Sequence, residues 1–287
     1  MAELFFAIAL SFESGTLSAF LFETLKELKR EEEYKKNYGQ AIFYGTLAIA
    51  FANILGAFVA KYDLRYAFYL NIPFFVLMIP IAFSLYEPKK VKEVAKENYF
   101  KTIFLTLKNE VYKNEKLRWI IIYSAVIYSF NGAALWLYQP YFKISGLDIM
   151  YFGIVFASFQ VVAAFSSKYA HKIEEKLGQR YSLLMLGFLV ATSYLLMSNF
   201  IFLFSFSFAF IQQFVRGFRS VVVSDYINKM IQKDEMRATI LSMESLVGRL
   251  VYSITIPFIG WLADVYSLKD ALLVVGIVVL FFSIFFV

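Results

Sequence analysis

The sequence has no cysteine and one histidine, His171, in 287 residues. Disulfides, thiolate catalysis and cysteine-ligated metals are therefore excluded, and one imidazole cannot make a histidine-rich metal site. Charged residues make up only 17% of the chain, whereas a soluble domain has about 25%. The chain is 60% hydrophobic and 20% aromatic, which excludes disorder, a nucleic-acid-binding surface and an ordinary water-soluble enzyme core. We expect a multi-pass membrane protein.

Nine apolar segments, separated by charged ones, are long enough to be membrane-spanning helices. Each must be helical, because backbone groups in lipid have to satisfy their own hydrogen bonds. The predicted spans are residues 3–22, 40–60, 66–86, 119–139, 150–167, 181–198, 201–222, 238–260 and 270–287. The sequence thus predicts an all-α membrane protein.

The lysines and arginines predict the orientation of these spans. Most of the 28 lie in one alternate set of loops, and the opposite set holds only Lys61, Arg65, Lys143 and Lys269. Because cytoplasmic loops carry the excess of basic residues, we expect the first set to be cytoplasmic. The N-terminus is then outside and the C-terminus is cytoplasmic, in a protein of the plasma membrane.

The longest loop divides the chain into three predicted parts. Residues 1–86 form a bundle of three helices, residues 87–118 a cytoplasmic central loop, and residues 119–287 a bundle of six helices. Apolar residues recur at helical spacing within the loop, namely Phe100, Ile103, Phe104, Leu107 and Val111. This pattern indicates either an amphipathic helix at the membrane surface or an ordinary amphipathic linker.

The two parts of the chain contain an internal repeat. Residues 56–67 align with residues 260–271 at an offset of 204, and Gly, Tyr, Leu, a basic residue and Ala coincide. Each copy ends one apolar segment and begins the next. Repeats of the same orientation indicate two bundles related by an axis along the membrane normal, as in secondary transporters.

With this repeat, span count and loop polarity, the chain resembles the major facilitator superfamily of twelve-helix transporters. Further similar segments are residues 13–16 and 237–239. The short signature of the family is matched, in degenerate form, by residues of the loop 168–180 and of the eighth span: Glu175, Lys176, Gly178, Arg180, Gly260 and Asp264. His171 stands where the family usually has glycine.

The resemblance implies that the nine spans correspond to helices four to twelve of the family's fold. Three helices would then precede Met1, so that the chain is either a truncated reading frame or is completed by a partner that supplies them. The resemblance also implies that the first, fourth and seventh spans line a central cavity. The candidates for that pocket are Glu13, Asn131, Gln139, Gln212 and Arg216.

Ionisable side chains inside spans are costly, and each is a candidate for function. Glu13 lies near the middle of the first span, where desolvation favours its protonated form, so it is a candidate proton carrier. Gln212, Arg216 and Arg219 share one helix face, although long basic side chains near a span end can also reach water. Glu244 and Arg249 lie in the eighth span, and for Glu244 a structural pair with a neighbouring arginine is the alternative.

The resemblance implies a secondary transporter that moves a small solute by alternating access. Its energy would come from protons, and its substrate could be an amphipathic compound that is exported. The partners are then the solute, protons and the lipid bilayer, with no nucleic acid. No cofactor, metal or catalytic residue is expected, because the chain has no nucleotide-binding loop, no metalloprotease motif and no cysteine. The alternative is a non-transporting accessory or scaffold subunit, or an inactive fragment.

Overall fold

The computed structural model describes residues 16–60, 63–86, 111–148, 151–231 and 236–286, together with positions 9 and 12. Eight α-helices form the described part, with short 3₁₀ turns at Glu31–Glu33 and Leu203–Phe208. The helices are α1 (Thr16–Glu27), α2 (Tyr34–Ala60), α3 (Leu64–Ser84), α4 (Glu115–Ile144), α5 (Phe152–Asn199), α6 (Ala209–Met230), α7 (Arg237–Val265) and α8 (Leu268–Phe286). The predicted all-α fold is confirmed.

Within the described residues, five helical stretches are long and apolar enough to cross a membrane: Glu31–Gly56, Glu115–Ile144, Phe152–Asn199, Arg237–Val265 and Leu268–Phe285. The apolar stretch Phe68–Ser84 in α3 is shorter. Since α5 has 48 residues, it contains both the fifth and the sixth predicted span. The segment 168–180, expected to be a loop, is therefore mostly helical.

Gly178 separates the two halves of α5. Its φ of 73° and ψ of 173° depart from the helix, while the residues on either side remain helical. Glycine adopts a positive φ without steric cost, so one residue is enough to break the helix. This break replaces the loop that the charges of residues 168–180 suggested.

The seventh span begins and ends later than predicted. Residues 201–222 were expected to be helical, but Leu203–Phe208 forms a 3₁₀ turn and α6 runs from Ala209 to Met230. Within the apolar run, Ser205 accepts a hydrogen bond from the backbone N–H of Phe202 at 3.4 Å, a local bond that competes with helix formation there. At the other end, buried contacts of Asp225 and Asn228 hold polar residues in the helix.

Helix α5 is the centre of the packing, and it contacts α2, α6 and α8, while α4 packs against α7. Two glycines allow close crossings on α5. A Cβ at Gly39 of α2 would lie 2.5 Å from the carbonyl oxygen of Ser167, and one at Gly217 of α6 would lie 2.1 Å from that of Ala163. The helices α2 and α6 thus meet α5 backbone to backbone, one helical turn apart.

The N-terminal helices α1 and α2 contact α5, α6 and α7 of the C-terminal part. The predicted boundaries of the three parts stay a prediction, since most of the central loop, including Phe100, Ile103, Phe104 and Leu107, lies outside the described residues. Glu13 lies outside them too. Helix α3 packs mainly against α2 and exposes most of its apolar side chains, as a lipid-facing helix does.

Candidate functional site

Asn131 and Gln212, two of the expected pocket residues, are in contact. The amide Nδ2 of Asn131 donates to Oε1 of Gln212 at 2.7 Å and to its backbone oxygen at 2.8 Å. Gln212 is buried and also donates to the backbone oxygen of Val190 at 3.4 Å. These amides connect α4, α5 and α6 and satisfy one another. Gln139 is exposed and lies eight residues, or about 12 Å, further along α4.

Arg216 lies one turn beyond Gln212 on α6, as its spacing predicts. One terminal nitrogen, Nη2, donates to Oε1 of Gln160 on α5 at 2.5 Å. This partner is neutral, so the bond orients the guanidinium without compensating its charge. Arg249 of α7 is half-buried.

Arg219 and Glu244 form an ion pair between α6 and α7, with 3.3 Å between Nη1 and Oε1. Ser124 of α4 bridges them, because its hydroxyl accepts from Nη1 of Arg219 at 2.6 Å and lies 2.6 Å from Oε1 of Glu244, to which it donates. The guanidinium also lies over the ring of Tyr128, 5.0 Å from its centroid. The sequence considered an arginine partner for Glu244, and the structure pairs it with Arg219.

A cavity of about 180 Å³ lies where α1 and α2 meet α6 and α7. Its wall combines hydroxyl groups with this ion pair. The residues that line it include Ser18, Tyr38, Arg219, Ser224, Glu244 and Ser245. A polar chamber between the N-terminal and C-terminal helices can hold a small hydrated or hydrogen-bonding solute.

At one end of the helices a group of charges joins the N-terminal to the C-terminal part; we call this end the basic end, defined by Lys35, Glu174, Asp225 and Lys229. The ammonium of Lys35 on α2 pairs with Glu174 of α5 and lies 3.3 Å from Oδ2 of Asp225 on α6. Lys229 lies 3.1 Å from the same oxygen. Tyr226 donates to Glu174 at 2.7 Å. The four charges balance, and they hold α2 on α5 and α6.

The surroundings of Lys35 and Glu174 keep both groups ionised. Both lie outside the apolar spans 40–60 and 150–167. Burial alone would raise the pKa of the Glu174 carboxyl, but hydrogen bonds from Lys35 and Tyr226 and the charge of Lys35 lower that pKa below its usual value. Burial alone would lower the pKa of the Lys35 ammonium, but Glu174 and Asp225 raise it. The ion pair is therefore stable over a wide pH range.

Three hydroxyl groups form a second connection beside these charges. Ser18 of α1 lies 2.6 Å from the hydroxyl of Tyr34 and 2.8 Å from that of Ser224, and the last two are 2.9 Å apart. Asn228 donates to Ser18 at 3.2 Å. Ser18 and Tyr34 are buried, so this triangle closes the space between α1, α2 and α6.

The signature residues lie at both ends of the helices. Gly178 forms the break in α5, and its neighbours Glu175, Lys176 and Arg180 are exposed. Gly260 and Asp264 lie near the end of α7, away from the basic end at which that helix begins, and Asp264 is exposed. The structure therefore does not bring the two groups together.

Sequence reasoning missed Lys35, Glu174 and Ser124. Lys35 was counted only as a loop charge, and Glu174 lies among the basic residues of the segment 168–180. Glu174 follows the buried Ala170 by four residues, so the two share a helix face. An acid on the same helix face as a small apolar residue is the signal that could have identified Glu174. Ser124 carries no sequence signal, because a single serine in an apolar span is common. Among the described residues no group of three or more metal-ligating side chains could hold a metal ion.

Comparison with known proteins identifies the family of the chain. The sequence profile of the Major Facilitator Superfamily matches residues 5–251, which is most of the chain. No curated protein matches it significantly. The match covers α1 to α6 and half of α7, and with them the polar cavity and the basic end. The chain, an integral membrane protein with two sets of helices packed around a polar cavity, belongs to the Major Facilitator Superfamily.

Proposed function

We propose that this protein is a proton-coupled transporter of a small solute that works by alternating access. Secondary transport, and not catalysis, is the general activity of the family. The proposal goes beyond this general activity in three respects: the coupling to protons, the solute and the direction of transport. The observation that carries the proposal is the Arg219–Glu244 pair, which faces a cavity between the two sets of helices.

The chemistry of this pair suits proton coupling. In the described conformation Arg219 compensates the carboxylate of Glu244 at 3.3 Å. A carboxylate that loses its counter-ion in a site of low polarity favours its protonated form. Any step that separates the two side chains therefore loads a proton on Glu244, and their return releases it. Glu13, the carrier proposed from the sequence, stays a prediction, because it lies outside the described residues.

The basic end supplies the second requirement, a gate. Alternating access needs contacts that close one side of the cavity and break when that side opens. Lys35 with Glu174, and Ser18 with Ser224, join the N-terminal helices to the C-terminal ones. We propose that these contacts are the closed gate, and that the cycle opens them.

We further propose that the basic end is cytoplasmic, that the protein lies in the plasma membrane and that its C-terminus is cytoplasmic. The excess of basic residues at that end supports the orientation.

Export stays a prediction. Aromatic side chains, which an amphipathic substrate would contact, pack against one another in the core, as Tyr138, Phe142 and Phe159 do. The polar cavity instead favours a polar solute.

Proton flux in vesicles tests the coupling. The purified chain is reconstituted into liposomes that contain a pH-sensitive dye, and a panel of radiolabelled sugars, amino acids and carboxylates is added. We expect at least one solute to enter and to change the internal pH, and Glu244→Gln to remove the pH change. The control is Glu32→Gln, a neutralised carboxylate in the exposed loop between α1 and α2.

Two outcomes would contradict the proposal. Solute uptake without a pH change would show transport without protons. The absence of uptake for every member of the panel would favour a non-transporting subunit, or a requirement for a partner that supplies further helices.

A further inference from the structure

The cavity between α1, α2, α6 and α7 has the charge and the hydrogen-bonding groups of an anion site. Arg219 uses only one of its nitrogens, Nη1, for hydrogen bonds within the described part of the chain. A guanidinium has five N–H donors in a planar fork, which matches a carboxylate with two parallel bonds. The donors on Nε and Nη2 are therefore available to a second anion.

Another anion can replace Glu244 as the partner of Arg219. Its 3.3 Å is longer than the 2.7–2.9 Å of strong charge-assisted bonds. The hydroxyl of Ser124, at 2.6 Å from both groups, and the ring of Tyr128 hold the guanidinium in place independently of Glu244. Arg219 can therefore keep its position when its anionic partner changes.

The charged residues of the predicted spans also favour an anionic ligand. The six predicted spans of the C-terminal part contain three arginines, Arg216, Arg219 and Arg249, but only the carboxylate of Glu244, apart from Asp270 at the boundary of the last span. Asp225 lies in the part of α6 beyond the seventh predicted span and is paired with lysines. Among the described residues no carboxylate forms an ion pair with Arg216 or Arg249. Of these arginines Arg219 lines the cavity, and because a charge inside a membrane is costly unless it is compensated, an anionic ligand is favoured there when Glu244 is neutral.

We propose that the cavity binds a small monocarboxylate anion, whose carboxylate takes the place of Glu244 on Arg219 while Glu244 takes up one proton. The charge balances, because the pair Arg219 and ionised Glu244 is replaced by Arg219, the anion and neutral Glu244. One proton therefore accompanies each anion. The proposal rests on the proposed function, since it names the solute class of the same site.

The size and wall of the cavity define the class further. Its 180 Å³ is well above the space that a single water molecule needs, so a small organic anion fits. The hydroxyl of Ser245, which also lines the cavity, can hydrogen-bond a hydroxyl or keto oxygen of the ligand. Hydroxy acids and keto acids of three carbons satisfy both conditions.

A binding experiment tests the anion site without any gradient. The purified chain is titrated calorimetrically with lactate and pyruvate, and with glycerol as a neutral compound of the same size. We expect saturable binding of both anions and none of glycerol. Because one proton is taken up with the anion, the affinity should rise by up to about tenfold for each pH unit of acidification.

Four variants locate the site. Arg219→Gln should abolish binding, while Arg65→Gln, which removes an arginine at the far end of α2 and α3, should leave it unchanged. If Arg219→Gln does not fold, as judged by helix content and gel filtration, Arg219→Lys should bind at least tenfold more weakly. Glu244→Gln imitates the protonated acid, so it should bind the anions without pH dependence and, at neutral pH, more tightly than the parent chain.

The proposal is overturned if lactate and pyruvate bind no better than glycerol, or if Glu244→Gln weakens their binding. These failures are distinct from a failure of the proposed function. Anion binding without any flux in vesicles would contradict transport and leave the site intact. Proton-coupled flux of another solute, without anion binding, would contradict only the assignment of the anion.

Discussion

Lys35 and Glu174, which are 139 residues apart in the sequence, form a buried ion pair that fixes α2 on α5. One residue belongs to the N-terminal helices and the other to the C-terminal ones. A second carboxylate, Asp225 of α6, lies 3.3 Å from the same ammonium. In an alternating-access cycle this pair has to break, so its strength contributes to the balance between the closed and open states.

Removal of Lys35 should open the basic end. The change is Lys35→Gln, and a single Ser220→Cys in the cavity wall reports access, since the chain has no other cysteine. Loss of a hydrogen bond between charged groups costs on the order of 2 kcal/mol, or roughly a thirtyfold change in the ratio of open to closed protein. Modification of the introduced cysteine by a maleimide applied at the basic end should accelerate accordingly. Lys36→Gln, which alters the exposed neighbour, is the control, and equal rates in both variants would exclude the gate.

Acidification should weaken the same gate only at pH values below the usual pKa of a glutamate. The lowered pKa of Glu174 means that its ion pair is complete above the usual pKa of a glutamate and is lost as the pH falls through the lower folded value. The pKa of Lys35 is raised, so the contribution of its ammonium to the ion pair is lost only as the pH rises above the usual pKa of a lysine. Access to Ser220→Cys, measured in the Glu244→Gln background so that only the gate titrates and with the reagent's own pH dependence subtracted, should be constant from about pH 5.5 to about pH 9. A midpoint within that range would contradict the assignment.

Gly39→Ala should destabilise the packing of α2 on α5. The added Cβ would lie 2.5 Å from the carbonyl oxygen of Ser167, which cannot move without a shift of the helix backbone. Overpacking of this kind costs about 1–3 kcal/mol. The matched control is Gly45→Ala on the same helix, where the Cβ meets nothing within 4 Å and alanine favours the helix by up to about 1 kcal/mol. Thermal unfolding in detergent should therefore shift down for the first variant and not for the second.

Gly178→Ala should destabilise the break within α5. At a φ of 73° and a ψ of 173°, a conformation that essentially only glycine adopts, an alanine incurs a cost of roughly 1–3 kcal/mol, although no neighbouring atom is close. Gly153→Ala, in the first turn of the same helix, has equal free space and a helical backbone, so it should be neutral or stabilising. An unfolding temperature for Gly178→Ala equal to that of Gly153→Ala would show that the break is not required.

The orientation can be tested with two exposed positions at opposite ends of the helices. Position 175, changed by Glu175→Cys, lies at the basic end, and position 269, changed by Lys269→Cys, lies at the start of α8. In intact cells an impermeant maleimide should label the Lys269→Cys variant and not the Glu175→Cys variant, and permeabilisation should expose both. Labelling of both variants in intact cells, or of Glu175→Cys alone, would contradict the proposed orientation.

The helices could be predicted from the sequence with few exceptions, because length and apolar character alone decide whether a segment can cross a bilayer. The exceptions are informative. Residues 168–177 carry the charges of a loop but continue α5, since nothing before Gly178 interrupts the helix. Residues 203–208 are apolar but form a 3₁₀ turn, because the serines offer local hydrogen bonds.

The candidate site was predictable only in part. The spacing of Gln212, Arg216 and Arg219 put them along one side of α6, and in the structure their side chains bond to α4, α5 and α7. Which residues would meet them was not predictable. Ser124 bridges Arg219 and Glu244 across 95 and 120 residues of sequence, and no periodicity reports such a distance.

The sequence by itself determined the class of this protein: apolar segments of bilayer length, basic residues concentrated in every second loop and a repeat at an offset of 204 require a helical membrane protein. Those properties depend on local composition and on the polarity of the surroundings. The tertiary structure alone decided which charges are neighbours, since the pairs Lys35–Glu174 and Arg219–Glu244 and the cavity beside the second pair arise from helix crossings at Gly39 and Gly217. Electrostatic interactions depend on distance in space, and that distance is fixed only when the helices pack.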